Sequence, residues 1–177
     1  MPFPVEIRTV RLCIRDFTPL DVDDLQQITG DAEVVRHLAF AATSQAEAKA
    51  LVDYALVSAK VEPRQDYVLA VDDADGRMIG SCGFHEVEGA RDEREVYFVL
   101  RQDTWGEGLG RELLTTLIGF GFRELGLRRI FGIAHPDNIA SMRVMERAGM
   151  TFDGDVPDAF EDENGWRAGR RYAILRP

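Results

Sequence analysis

Cysteine is nearly absent: the 177 residues hold two, Cys13 and Cys82. They stand far apart, with no Cys-x-x-Cys spacing and no histidine cluster beside them. Neither a zinc site nor a disulfide framework is encoded, and reduced thiols are the expectation. Basic charge is also in deficit, since 21 Lys and Arg stand against 31 Asp and Glu, a formal net charge of −10. A nucleic-acid binder would carry a basic face, so the balance argues against that class and favours cationic partners such as amines or basic peptides. No apolar run approaches the roughly 18 residues of a membrane span. The opening Met-Pro-Phe-Pro-Val-Glu has no charged segment leading into an apolar one. The expectation is a cytoplasmic protein with no membrane and no nucleic-acid partner. No repeat, linker or low-complexity tract divides it, and its 45% hydrophobic content suits one domain over residues 1–177, at about 100–200 residues per domain.

What is present is a series of short periodic segments. Val10, Leu12 and Ile14 alternate with Arg11, Cys13 and Arg15, the period of a strand with one buried face. Thr18 is placed to cap a helix that opens on Pro19 and stops at Gly30. A short helix through Val34, Val35 and Leu38 follows. Ser44 and Glu47 then form a capping box for a longer helix reaching about Lys60, ended by Pro63. Strands are predicted at 67–71 and 78–87, joined as a hairpin by a polar turn at 72–76, and at 95–100 after a charged loop. Leu109, Leu113, Leu114, Leu117, Ile118, Phe122 and Leu125 form the apolar face of a helix closed by Gly126. A strand at 130–134, a short helix at 138–148 capped by Gly149, and a strand pair over 151–175 across Asn164-Gly165 complete the chain. The acidic middle of that pair, residues 153–163, reads as a solvated loop. The order gives a mixed α/β domain (an α+β mixed sheet), not the strict alternation of a doubly wound fold.

Between the strand at 95–100 and the long helix lies Thr104-Trp105-Gly106-Glu107-Gly108-Leu109-Gly110-Arg111. Glycines at alternate positions let the backbone approach a ligand, and the unpaired N–H groups of a first helical turn carry partial positive charge. This is the layout of an anion cradle, suited to a pyrophosphate. The nucleotide loops do not fit. Counting Gly-x-Gly-x-x-Gly from Gly106 puts Arg111 at the third glycine, and counting from Gly108 puts Leu113 there; a Gly-Lys pair is also missing. A protein-kinase loop lacks the chain length and any Asp-Phe-Gly. A glycine-rich turn with no ligand is the plainer alternative.

Further on stands His135-Pro136-Asp137-Asn138-Ile139-Ala140-Ser141-Met142-Arg143-Val144-Met145-Glu146-Arg147-Ala148-Gly149-Met150. With Trp-Gly-x-Gly-x-Gly upstream, and with Arg8-Thr9-Val10-Arg11-Leu12-Cys13-Ile14-Arg15 as an opening strand, the chain resembles the Gcn5-related N-acetyltransferase superfamily. The resemblance is to the branch that acetylates ribosomal-protein N-termini (alanine or serine). That branch's pattern, Asn-x-x-Ser-x-Arg-Val-(Leu/Met)-Glu-(Lys/Arg)-x-Gly-(Phe/Met), is matched at every named position, and the likeness runs from about residue 8 to the end.

The resemblance implies an acyl-CoA N-acyltransferase fold: a central, mostly antiparallel sheet splayed between two parallel strands, here 95–100 and 129–134, and flanked by helices. It implies acetyl-CoA as co-substrate and no metal. Backbone groups near Phe98, Val99 and Leu100 would hold the pantetheine arm. The amides of Gly106, Glu107, Gly108, Leu109, Gly110 and Arg111 would bind the pyrophosphate, with Trp105 anchoring the loop. Asn138, Ser141 and Arg143 complete the cofactor set. Arg111 and Arg143 are offered as phosphate contacts, with pairing of Arg143 to Glu146 along the helix as the alternative.

Acetyl transfer to an amine needs a neutral nitrogen, a donor to the developing oxyanion and a proton for the departing thiolate. The tyrosine that commonly supplies that proton in the superfamily is replaced here by Met145, which cannot donate. Ser141 resembles the residue used instead in the ribosomal branch; the alternative is an ordinary hydroxyl in a first helical turn, and Asn138 is open in the same way to cofactor binding or to capping. Glu95 is the first choice of base, acting through a water. A solvated carboxylate in the run Arg91-Asp92-Glu93-Arg94-Glu95 is the competing reading, and His85, Glu86 or water alone are the other bases. Cys82 has no activating neighbour, and direct transfer needs no acetylated cysteine. The expected function is direct transfer of acetyl to a primary amine, either a peptide N-terminus or a small molecule, by a monomer or homodimer. A non-catalytic acyl-CoA-binding sensor or subunit is the alternative.

Overall fold

A computed structural model describes residues 4–38, 44–162 and 165–177. Its spine is an eight-stranded sheet in the order β1-β2-β3-β4-β5-β6-β8-β7. The strands are β1 (Glu6–Arg8), β2 (Leu12–Asp16), β3 (Tyr67–Asp73), β4 (Met78–Val87), β5 (Ala90–Leu100), β6 (Arg129–Ala134), β7 (Thr151–Asp162) and β8 (Gly165–Leu175). The helices are α1 (Val22–Thr29), α2 (Ala32–Val35), α3 (Gln45–Ser58), α4 (Leu109–Arg123) and α5 (Ile139–Arg147). Every neighbouring pair of strands is antiparallel except β5 and β6, which run parallel.

Strand periodicity divides the core in two. Along β3, Tyr67, Leu69 and Val71 face one side and pack with the apolar stripe of α4, while Val68 and Ala70 face the other and pack with α1 and α3. Both faces are covered, so β3 reads as a continuous apolar run. The capping signals hold. The Thr18 side chain caps a 3₁₀ turn, Pro19–Asp21, that leads into α1, and Ser44 and Glu47 exchange the two bonds of a capping box at the start of α3. Three helices are shorter than their periodicity suggests, α2 ending at Val35, α3 at Ser58 and α4 at Arg123, before Leu125 and the expected cap Gly126.

Three expectations need correction. Val10 lies in the turn between β1 and β2 and is 93% exposed, while Leu12 and Ile14 are buried as expected. The charged segment before residue 95 is strand, not loop: β5 begins at Ala90, directly after a turn at Gly89 (φ +77°). Two of its carboxylates are matched from β6 and the residue before it, with Arg128 Nε 2.8 Å from Asp92 Oδ2 and Arg129 Nη1 2.8 Å from Glu93 Oε2. The acidic stretch of β7 is strand for the same reason. Asp153 pairs with Arg129 and with Arg171, and Asp155 lies 3.3 Å from Arg170 Nε. Two register shifts, at Phe152/Gly154 and Val156/Phe160, bend this strand. Glu163 and Asn164, the predicted turn before Gly165, lie outside the described residues.

The parallel pair positions the site. β5 and β6 are in register only at Glu93↔Arg129, Arg94↔Ile130 and Glu95↔Phe131. β5 goes on pairing with β4 as far as Leu100, and β6 with β8 as far as Ala134. From residue 96 onward the two strands therefore diverge, and the sheet opens into a V.

Candidate active site

A cleft of about 420 Å³ occupies the opening of the V. Val96, Tyr97, Phe98 and Val99 wall it from β5, and Gly132 to Ala134 from β6. Asn138, Ser141 and Met145 close it from α5, and the bent part of β7 and the first helices close the rest. It brings together the sequence-predicted Glu95, Phe98, Val99, Asn138 and Ser141, along with the alternative base His85. Glu86, the neighbouring alternative, is exposed and outside these walls, as strand alternation requires.

Glu95 sits where the ladder ends, opposite His85 on β4 and Phe131 on β6. Burial pushes its carboxyl above the ordinary glutamate range. Burial pushes His85 the other way, against the pull of Asp66, and its ring stacks on Tyr97 at 4.7 Å. An imidazole with lowered proton affinity and a carboxyl group with raised proton affinity thus stand on adjacent strands. Cys82 is fully buried and its thiol is pushed far up by desolvation, which suits an inert core residue.

On α5, the Asn138 side chain accepts a hydrogen bond from the Ser141 backbone N–H at 3.0 Å, so Asn138 caps the helix while facing the cleft. Met145, at the position of the superfamily's tyrosine, is buried, and its sulfur would lie 3.1 Å from a Cβ placed on Gly132. Glu146 accepts from the Tyr172 hydroxyl at 3.2 Å, and no ion pair joins it to Arg143 among the described residues.

Leu100, at the end of β5, and Trp105 and the glycine segment, which lead into the first turn of α4, lie outside the cleft walls. The Trp105 indole N–H donates to the Leu100 carbonyl at 2.9 Å. Gly106 and Gly108 take φ of +83° and +80°, the left-handed region open to glycine at no steric cost. Gly108 is the N-cap of α4 and supplies no side-chain cap to the first-turn amides, which leaves them available to an anion. Gly110 lets this end of α4 sit against α5, since a Cβ there would meet Val144 Cγ2 at 3.3 Å. Arg111 and Arg143 are exposed.

The sequence reading missed His37, Tyr97 and Asp158, and gave no role to His135. His135 is 6% exposed, stacks on His37 at 5.1 Å and meets the Phe160 ring edge-on at 5.2 Å. Burial, then the nearby His135 and Arg36, push His37 below the ordinary histidine range. Asp158 takes φ +50° within the register shift of β7. Only His135, three residues before the Asn138 of the Asn-x-x-Ser segment, stood beside a recognised motif. Among the described residues no group of three or more His, Cys, Asp or Glu is placed to hold a metal ion, and no helix is long and apolar enough to cross a membrane.

Residues 11–151 match the family model described as Acetyltransferase (GNAT) domain. The chain is 28% identical over 171 residues to the uncharacterized N-acetyltransferase YnaD of Bacillus subtilis (strain 168), covering 97% of each. Its fold is similar to that of RimL, a ribosomal L7/L12 alpha-N-protein acetyltransferase, with a TM-score of 0.85 at 20% identity over 98% of this chain and 95% of that one. It is similar also to the spermidine N-acetyltransferase from Vibrio cholerae in complex with CoA and spermine, with a TM-score of 0.80 at 17% identity over 94% and 96%. The splayed parallel strands, the glycine-led helix and the family match over most of the chain agree: this protein belongs to the GNAT acetyltransferase family and is an acetyl-CoA-dependent N-acetyltransferase.

Proposed function

We propose that this chain acetylates a primary amine, a peptide N-terminus or a small molecule, by direct attack within a ternary complex in the cleft between β5 and β6. The observation that carries the reading is the end of the parallel ladder at Glu95 and Phe131, with a cleft beyond it that holds both candidate catalytic groups. The donor's fit is supported by two features. Residues 96–100 pair with β4 on one side and leave the other facing the cleft, and the first turn of α4 keeps uncapped amides. In this reading Phe98, Val99 and Leu100 hold the pantetheine arm as an added strand would. The backbone from Gly106 to Arg111 holds the pyrophosphate, and Arg111 and Arg143 assist as exposed cations.

Acetyl-CoA supplies the activated carbonyl when bound. Glu95 takes a proton from the attacking amine through a water, Ser141 gives its hydroxyl proton to the departing sulfur, and the serine recovers a proton from solvent. The C–N bond forms as the C–S bond breaks, so no acetylated protein group is needed. The acceptor's charge is suited by the walls: among the described residues, Glu95 and Asp158 are the carboxylates that line them, and no Lys or Arg does. The named acceptors of the two structural relatives, a ribosomal protein and spermidine, are both amines.

The test is a panel of N-terminal peptides and small amines incubated with acetyl-CoA, followed by free-thiol release and by mass spectrometry to locate the acetyl group. Turnover on at least one amine is expected. Ser141→Ala should lower kcat by about 10²-fold or more, in the range of general acid catalysis, with CoA binding retained. Wild-type-like turnover by that variant would remove Ser141 as the acid. Thermal stabilisation by CoA with no turnover on any amine would overturn the catalytic reading.

A further inference from the structure

We infer that Arg11, in the turn between β1 and β2, is a positioning residue that sets the phosphate-binding loop through Glu107 and Glu112. The inference rests on reading the loop from Gly106 to Arg111 as a pyrophosphate cradle.

Arg11 is about a hundred residues from the loop in sequence and in direct contact with it in space. Its Nη1 donates to the Glu107 carbonyl at 2.9 Å, while Nε lies 2.8 Å and Nη2 2.6 Å from Glu112 Oε2. The guanidinium fork therefore spans two points, one on the loop backbone and one on the first turn of α4. Thr9 completes the brace from the same turn. Its hydroxyl donates to Glu112 Oε1 at 2.6 Å and accepts from the Leu12 N–H at 2.9 Å, tying the carboxylate to the sheet edge. Burial alone would raise the Glu112 carboxyl. The bonds from Thr9 and Arg11 outweigh that and hold it below its usual range.

The consequence for the loop follows from the planarity of the peptide unit. In a trans peptide, C=O and N–H point in opposite directions. Fixing the Glu107 carbonyl toward Arg11 fixes the Gly108 N–H away from it. Gly108 is at φ +80° and Gly106 at φ +83°, with no other heavy atom within 4 Å of a Cβ on Gly106 and only Arg11 Nη2, at 3.9 Å, near one on Gly108. Glycines this open do not hold their own peptide planes, so an external tether is needed if the amides are to be aimed before the anion arrives. Arg11 is not a charge contact for the phosphates in this arrangement, because Glu112 already neutralises it. Lysine could not replace it, having a single point of attachment where the fork has three nitrogens in use.

The experiment compares two donors, acetyl-CoA and S-acetylpantetheine, which lacks the pyrophosphate. In Arg11→Ala the KM for acetyl-CoA should rise about tenfold, the effect of one charge-assisted hydrogen bond. The kcat should stay within about twofold, so the preference for acetyl-CoA over S-acetylpantetheine falls by the same tenfold. Arg11→Lys should resemble Arg11→Ala. Glu112→Gln keeps the shape of the partner and loses its charge, and should give a rise of the same sense; it serves as the test if Arg11→Ala fails to fold by circular dichroism. Unchanged preference in both variants, equal weakening of both donors, or full rescue by lysine would each overturn the brace. A wild-type enzyme with no preference for acetyl-CoA would overturn the cradle reading itself, an outcome distinct from the others.

Discussion

Glu95 is held half-buried at the last rung of the parallel ladder, and that placement gives it opposed effects on stability and chemistry. Its folded pKa lies above its unfolded value. The stability associated with it is therefore fully present below the unfolded pKa and lost as pH rises through the folded one. Glu95→Gln should accordingly melt at a higher temperature than wild type at pH 8, with the gap closing toward acid pH in a thermal-shift series. The same variant should lose about 10²–10⁴-fold in kcat/KM, and the acidic limb of the wild-type pH profile, with a midpoint above the usual glutamate range, should disappear. An active Glu95→Gln with an unchanged profile would move the base to His85. Ser141 could be picked out in the sequence because a motif marks it; Glu95 was picked out as the start of a strand that in fact begins at Ala90. His37 and His135 could not be paired there, since their stacking joins the end of α2 to the end of β6 and no local period encodes it.

At the start of α4 the backbone is fitted against the side chain of Val144 on α5. Gly110 is the contact between the start of α4 and α5, and a side chain there must displace Val144. Gly110→Leu should destabilise the protein by about 1–3 kcal/mol through overpacking and weaken CoA binding by tilting the first turn of α4. Pairing it with Val144→Ala should recover part of both losses. Urea denaturation and CoA titration of the two single variants and the double variant would check this; additive losses would mean that the two residues do not share the space. Caps and helix faces were legible because Thr18, Ser44 and the leucines of α4 act within one or two turns. The charged parts of β5 and β7 were not. Runs of charged residues look solvated until their partners are known, and here the partners, Arg128, Arg129 and Arg171, come from distant segments.

Across the whole molecule, the net charge of −10 sets a field that a cationic acceptor feels and a neutral one does not. The kcat/KM for a polyamine or basic peptide should fall as salt shortens the Debye length from about 30 Å at 0.01 M to about 3 Å at 1 M. A weakly charged amine should show little change over the same series. Equal salt dependence for both would remove electrostatic attraction from acceptor selection. From local pattern, strand order was legible only as far as neighbouring hairpins. The parallel pairing of β5 with β6, which joins β1–β5 to β6–β8–β7, was legible only through the resemblance to the acetyltransferase superfamily, because no local pattern encodes it.

That short seam has a further consequence. A strand left without a neighbour is normally a hazard at the rim of a sheet, where another chain can add to it, and proteins shield such rims with charge, bulges or covering loops. Here the vulnerable rims lie back to back within the molecule, on residues 96–100 and on the end of β6. A donor whose pantetheine arm lay along them, as proposed above, would cover both rims and act as a stopper as well as a reactant.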